Sequence, residues 1–411
     1  MAGLRLTAHG GPECRRGAQR GPATRSLGVA GLLLAAAATA AYAQDPAQGG
    51  TPPGGMLRFD RSVLLEQTAE TSANVSIGDV NGDSRLDIVL VKGRHWPLLD
   101  MVLIGDGAGG FLPARPLGSH ADRSYSGVLV DIDADGDLDV VISNDRPDSN
   151  VVHMNDGEGR FTAGSSFGQP EWPTRHVSVA DLNGDGQPDI VVANRIGNRG
   201  GFSYVCLNRG EGRFDDDCDG FAGESATSIT PADYDGDGRL DLLVPHRDGG
   251  QSYVYLNGGD GTFRERIAVG PADAAIRKAE AADLNGDGLL DLVIIDERTG
   301  AAVLLRQQDG TLAAARPLGD PGPTPYALTV ADLNGDGVAD VIVGYVEAPP
   351  VAFLGDGRGG FQPVEFGDEQ GVAYGFAVGD VDGDGFMDIA MARSDAPNIL
   401  YFGGPAAEPR R

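Results

Sequence analysis

The chain predicts an all-β fold, a seven-bladed β-propeller closed by pairing an N-terminal strand with the C-terminal blade. Three observations lead there. A nine-residue loop rich in Asp and Gly occurs seven times, starting at Asp79, Asp131, Asp181, Asp233, Asp283, Asp332 and Asp380. Successive starts are 52, 50, 52, 50, 49 and 48 residues apart, and a fixed period of that size marks a propeller, a solenoid or an array. The last repeat also stops one strand short, while a stretch that fits the vacancy stands at the other end of the chain.

From the beginning, Arg5, Arg15, Arg16, Arg20 and Arg25 precede an apolar run from about Leu27 to Ala43 that closes on Ala41-Tyr42-Ala43. That is the pattern of a cleaved signal peptide over residues 1–43, with a mature start at Gln44. The competing reading is a membrane anchor, for which the run is at the lower limit of length. Residues 44–55, rich in Gly, Pro and Gln, read as a flexible linker, residues 56–404 as the repeat domain, and residues 405–411 as a disordered tail. The expected location is therefore secreted or periplasmic.

The 411-residue chain carries a formal charge of −28. Losing residues 1–43 removes five Arg and one Glu, so the mature chain stands near −28 − 4 = −32. Such acidity argues against nucleic acid and anionic membranes as partners. Of the three cysteines, Cys14 precedes the expected cleavage point, and Cys206 with Cys218 is expected to form a disulfide in an exported chain.

Each repeat follows one order. A short apolar strand, such as Val75-Ser76-Ile77, enters the loop, and a second follows it: Ile88-Val89-Leu90, Val140-Val141-Ile142, Leu292-Val293-Ile294, Val341-Ile342-Val343. These second strands are apolar on consecutive residues, so both faces need cover. A third strand, as at Tyr253–Leu256, leads through a Gly-rich turn to a fourth expected to start at Phe111, Phe161, Phe214, Phe263, Leu312 or Phe361. Asn398–Phe402 is the last third strand, and Gly54-Gly55-Met56-Leu57-Arg58-Phe59 echoes the missing fourth. Pairing the two removes exposed edges and favours a ring. No sustained 3.6-residue period occurs in the mature chain, so almost no helix is expected.

The loop itself carries chemistry. In Asp181-Leu182-Asn183-Gly184-Asp185-Gly186-Gln187-Pro188-Asp189, oxygen-bearing side chains stand at positions 1, 3, 5 and 9, and glycines at 4 and 6 let the backbone wrap. That is the donor set of a hard cation such as Ca²⁺. An EF-hand would need an acid at position 12, but Leu90, Ile142, Val192, Val244, Ile294, Val343 and Met391 stand there. The remaining alternative is a metal-free Asp/Asn/Gly turn. Matches to dinucleotide-binding and nucleophile-elbow patterns at Gly105–Gly110, Gly355–Gly360 and Gly164–Gly168 lack the required helix.

The loop followed by a strand, together with the Gly-x-Gly-x-Phe turn, resembles the FG-GAP/VCBS repeat family, whose best-known relative is the calcium-binding propeller of integrin α subunits. The resemblance covers nearly all of residues 56–404. It implies up to seven calcium ions, held by Asp79, Asn81, Asp83 and Asp87; Asp131, Asp133, Asp135 and Asp139; Asp181, Asn183, Asp185 and Asp189; and Asp233, Asp235, Asp237 and Asp241. The set continues with Asp283, Asn285, Asp287 and Asp291; Asp332, Asn334, Asp336 and Asp340; and Asp380, Asp382, Asp384 and Asp388. Ser84 replaces the usual glycine at position 6 of the first loop.

The opposite face holds a second pattern. Six residues before the loops stand Tyr125, Arg175, Arg277, Tyr326 and Tyr374, with Ala73 and Thr227 in the other two repeats. Just after the second strands stand Arg94, Arg146, Arg195, Arg247, Arg298 and Arg393, and Trp96 and Trp172 fall in the same loops, as do His95, His120 and His246. Guanidinium forks suit carboxylates, sulfates and phosphates. The alternative is that these arginines pair with Asp145, Asp148, Asp248 and Glu297. His153 reads as a packing residue.

Three function classes follow. The expected one is a non-catalytic binding or adhesion module for an anionic glycan or an extracellular protein, with no catalytic residues. The second is a lyase on acidic polysaccharide using the Arg/Tyr/His mouth, and the third a structural envelope component.

Overall fold

The computed structural model describes residues 57–215, 217–319 and 322–405. The expected signal peptide and linker lie outside them. Five four-stranded antiparallel sheets follow one another in the chain, together with one eight-stranded sheet built from both ends.

The eight-stranded sheet uses β1 (Leu57–Leu64), β2 (Glu70–Gly78), β3 (Asp87–Lys92), β4 (Met101–Leu103) and β5 (Arg115–Pro116). The next sheet is β6 (Ser124–Val130), β7 (Asp139–Asn144), β8 (Asn150–Met154) and β9 (Thr162–Phe167). Then come β10 (Thr174–Ala180), β11 (Asp189–Asn194), β12 (Ser203–Cys206) and β13 (Asp219–Ala222); and β14 (Thr230–Ala232), β15 (Asp241–Val244), β16 (Ser252–Asn257) and β17 (Phe263–Val269). Two further sheets are β18 (Ile276–Ala282), β19 (Asp291–Asp296), β20 (Gly300–Leu304), β21 (Arg316–Pro317); and β22 (Pro325–Ala331), β23 (Asp340–Tyr345), β24 (Val351–Gly355), β25 (Phe361–Glu365). The last strands, β26 (Val372–Gly379), β27 (Asp388–Ala396) and β28 (Ile399–Pro405), join the eight-stranded sheet. The one short helical element among the described residues is a 3₁₀ turn at Gly197–Arg199.

The large sheet has two halves. β2 to β5 form one, and β26, β27, β28 and β1 form the other; Glu70↔Ala396 and Thr71↔Ser394 join them. In the second half β1 runs antiparallel to β28, from Leu57↔Pro405 to Leu64↔Ile399. The strand from the chain's start is thus longer than the sequence echo suggested, and Pro405 belongs to β28 instead of the expected tail.

The second strands form the core. All residues of β3, β7, β11 and β19 are buried, because each face packs on a neighbouring sheet: Ile88 and Leu90 lie in one apolar cluster, Val89 and Val91 in the next. The fourth strands differ from expectation in three repeats. Phe111, Phe214 and Leu312 make only isolated bridges, to Gly105, Asn208 and Arg306. Each closes its Gly-rich turn, and the paired strand begins a few residues later, at Arg115, Asp219 and Arg316. Cys206 and Cys218 are disulfide-bonded, as expected, which ties β12 to the segment before β13.

Candidate functional site

The seven Asp-rich loops share one hydrogen-bonding plan. In the third loop the position-1 carboxylate takes amides from Gly184 and Asp185 on one oxygen and from Gly186 on the other. Asn183 accepts from Asp185 N, and Asp185 from Gln187 N, so each side chain shapes the backbone two residues on. Position 9 does something the sequence did not reveal. Asp189 accepts Leu182 N on one oxygen at 3.0 Å and Asn208 N on the other at 2.8 Å, which fastens the loop to the end of the third strand. The same pair of bonds recurs at Asp87, Asp139, Asp241, Asp291, Asp340 and Asp388.

These position-9 carboxylates are at most 2 % exposed. Burial pushes Asp87, Asp139, Asp241 and Asp340 up to about 6, and Asp388 to about 7, with the other loop carboxylates adding to the effect. A divalent cation would reverse that cost. Three loops with Asp at position 3 bring carboxylate oxygens within 4.8 Å of one another: Asp131, Asp133 and Asp139; Asp233, Asp235 and Asp241; Asp380, Asp382 and Asp388. Where position 3 is Asn, its amide can offset the charge instead, as Asn81, Asn183 and Asn334 do toward Asp83, Asp185 and Asp336. A carboxylate has about four lone-pair sites, so oxygens already holding amides keep room for an ion. The donor set fits a hard divalent metal.

The loops are also tied to the next repeat. Asn155, Asn208 and Asn257 donate to the position-2 carbonyls of Val80, Ile132 and Leu182 in the preceding loop, and Arg306 does so to Tyr234. Another missed device is a polar residue at the third-strand entry. Asp100, Asn150, Ser203, Ser252 and Asn398 accept the amides of Lys92, Asn144, Asn194, His246 and Arg393. Their spacing from the loops varies, so no period signals them.

The arginine and tyrosine positions converge for a reason visible in the strand registers. Pairing of the first with the second strand slips between Ser124 and Ser126, Thr174 and His176, Ile276 and Lys278, Pro325 and Ala327, and Ala373 and Gly375. The residue left over each time is Tyr125, Arg175, Arg277, Tyr326 or Tyr374, with Ala73 as the small counterpart in β2. A β-bulge re-aims the extra side chain, and here it directs these residues together.

Contacts then pass from repeat to repeat. His95 meets Tyr125 edge-on, and Arg175 lies over Tyr125 at 4.3 Å while pairing with Asp145 at 2.7 Å. Arg195 pairs with Asp248 at 2.7 Å, Thr227 donates to the Arg277 carbonyl, and Arg247 and Arg277 share Glu297 at 2.6 and 3.2 Å. Arg277 lies 3.3 Å over Tyr326, whose hydroxyl is 3.1 Å from that of Tyr374, and Arg94 lies 3.9 Å over Tyr374. Arg94 also donates to Ser394. Its Nε and that of Arg247 are buried with no hydrogen-bond partner.

Charge and burial act on these groups in opposite senses. Burial lowers the Arg277 guanidinium, and Arg247 adds to it. Burial works to raise the Tyr326 phenol, yet Arg277, Arg247, Arg94 and the Tyr374 hydroxyl bring it below its ordinary value. Tyr374 is pushed up by burial and by Tyr326. Burial, Arg175 and Arg94 together lower His95.

Not all candidates share this arrangement. Arg393 is 2 % exposed, with its guanidinium held by the Pro397 carbonyl and Asp368, so it braces the sheet and is closed to a ligand. Trp172 stacks on Tyr204 at 3.9 Å, with Gly168 against its ring, and is a packing residue. Arg298 donates to the Asp273 carbonyl. Arg146 is exposed, and Trp96 is 69 % exposed. Asp145, Asp248 and Glu297 do pair with mouth arginines, whereas Asp148 pairs with Arg123.

Solved structures with this architecture include two lectins. An Agrocybe aegerita lectin, described as recognising non-reducing terminal N-acetylglucosamine, is 24% identical, with TM-score 0.54 over 81% of this chain and 87% of its own. The BP39L lectin of Burkholderia pseudomallei is 15% identical, with TM-score 0.64 over 83% and 98%. BBS1N, solved in complex with ARL6DN, is 12% identical, with TM-score 0.58 over 84% and 97%. At these identities the likeness establishes the β-propeller fold alone. No curated protein matches the chain significantly. The FG-GAP-like repeat model matches residues 79–142, 131–192, 188–244, 246–294 and 283–343. With that match spanning more than half its length, and one loop plan in every repeat, the chain belongs to the FG-GAP-like repeat family.

Proposed function

We propose that the protein is an exported, calcium-binding, seven-bladed propeller that acts as a non-catalytic binding module for an anionic glycan or protein ligand at the Arg/Tyr mouth. The ring is supported by the two halves of the large sheet, which make seven blades with the five separate sheets, and by Arg94 lying over Tyr374, a contact between the first repeat and the last. The 28 loop residues at positions 1, 3, 5 and 9 are the proposed Ca²⁺ ligands. When bound, the ion supplies charge compensation and rigidity. The disulfide is compatible with an oxidising compartment. No helix among the described residues is long and apolar enough to cross a membrane.

One observation carries the ligand class. Five arginines, Arg94, Arg175, Arg195, Arg247 and Arg277, stand among three carboxylates, Asp145, Asp248 and Glu297. A carboxylate or sulfate from outside would balance that surplus of guanidinium charge. The lectin neighbours support a sugar as its bearer. Binding to an array of sulfated, uronate and neutral glycans tests this. Retention of acidic glycans, lost in Arg94→Gln, is the expected result; equal retention of neutral ones would refute the class.

The Tyr326 and Tyr374 hydroxyls, 3.1 Å apart with Arg277 over one ring and Arg94 over the other, favour a second reading. A Tyr326 phenolate would take the proton beside a uronate carboxyl. The freed electron pair would form C=C as the glycosidic C–O bond breaks, and the Tyr374 hydroxyl would protonate the departing oxygen. New ultraviolet absorbance on incubation with uronate polymers would establish that lyase; none leaves a binding module.

A further inference from the structure

Arg61 of β1 reaches from one end of the chain to the Asp-rich loop nearest the other, where its guanidinium pairs with Asp382, the acid at position 3. We propose, building on the calcium reading above, that Arg61 is a built-in rival to calcium at this loop and lowers the loop's affinity for the ion. Asp380, Asp382 and Asp388 bring carboxylate oxygens within 4.8 Å of one another, a spacing one divalent ion can bridge. Arg61 holds one oxygen of Asp382, and the other accepts the Asp384 amide at 3.3 Å. An amide leaves a carboxylate free to take an ion as well. A guanidinium is a full positive charge, so calcium must displace it or bind against like-charge repulsion.

Two further observations fix the arginine in this role. Its guanidinium lies 3.7 Å over the ring of Phe402, itself 5 % exposed, which holds the charge at the loop instead of in open water. Strand register then makes the contact particular to this repeat. Arg61 stands opposite Phe402, one residue past Tyr401, which pairs with Ile389. The same place holds Thr162, Glu265 and Gln362 in the second, fourth and sixth repeats, none of them a cation. The first and fourth loops do carry ion pairs, Arg85 with Asp83 and Arg239 with Asp237, but there the base belongs to the loop itself and meets position 5. The second loop is the direct comparison. It has the same four aspartates and the same convergence, and no basic side chain meets Asp133 among the described residues. Coupling between two ligands of one group is reciprocal, so calcium at the seventh loop would in turn loosen a contact of β1, the strand that pairs the two ends of the chain.

Hydrogen–deuterium exchange of the full chain across a calcium titration reads the loops separately, from peptides covering residues 131–139 and 380–388. In the parent, half-protection of 380–388 is expected at higher calcium than that of 131–139. In Arg61→Gln, at a side chain 57 % exposed, the 380–388 midpoint should fall about three- to tenfold, as removal of a partly exposed, ring-supported ion pair implies, while the 131–139 midpoint stays in place. Equal midpoints in the parent, a 380–388 midpoint unmoved in the variant, or one that moves together with 131–139 would each overturn the proposal and leave calcium binding intact. Protection of neither peptide at millimolar calcium would defeat the calcium reading, and this proposal with it.

Discussion

Asp189 and its six counterparts, proposed calcium ligands, already have a structural task. With no ion, both oxygens hold backbone amides, so the residue is a structural staple in its own right. Asp189→Ala leaves two buried amides without acceptors, and each costs about 1–3 kcal/mol. Urea unfolding should therefore show a loss of roughly 2–6 kcal/mol in the presence of chelator; a loss below about 1 kcal/mol would contradict the staple. Histidine gives a pH prediction. Burial lowers His153 to about 4 and His176, next to Lys278, to about 3. Their unfolded value is near 6.5, so below it the unfolded chain binds more protons and stability falls with pH. The contribution is complete above about 6.5 and is lost as pH drops toward 4 and below. His153→Gln should flatten the melting temperature between pH 6.5 and 4 relative to the parent.

At the scale of elements, the sequence was legible wherever chemistry was periodic. The loops and second strands could be read because Asp, Gly and the following apolar run recur at a fixed spacing. Three of the fourth strands could not, because Phe111, Phe214 and Leu312 mark a turn closure and the polar edge strands behind them carry no alternating signal, whereas β17 and β25 start at the expected Phe263 and Phe361. The mouth was half legible. Its residues share an offset from the loop, but only the register slips explain why Tyr125 and Arg277 point inward, and nothing in the spacing shows that Arg393 turns toward Asp368. The disulfide supports one of the weakest edges, since β13 has four residues. Closing a loop of about 12 residues is worth roughly 3 kcal/mol. Cys206→Ser with Cys218→Ser should lower stability by about that amount and speed amide exchange in β12 and β13 first.

At the scale of the molecule, carboxylates dominate. Seven divalent ions would return +14 to a chain whose formal charge is −28. Under the proposed calcium binding, stability grows with free metal as mass action requires, so EGTA should lower the melting temperature by many degrees and added calcium restore it. An unchanged melt would remove calcium from the account. The inter-repeat bonds from Asn155, Asn208 and Asn257 to the preceding loop predict a single cooperative transition, with no blade melting ahead of the others.

The pairing of β1 with β28 also sets a schedule. During synthesis β1 leaves the ribosome with nothing to lie against, because its partner lies more than 330 residues further along the chain. That sheet can therefore be assembled only after β28 has emerged. A truncated product would keep two raw edges, Leu57 and Phe59 among them, which quality-control proteases can find.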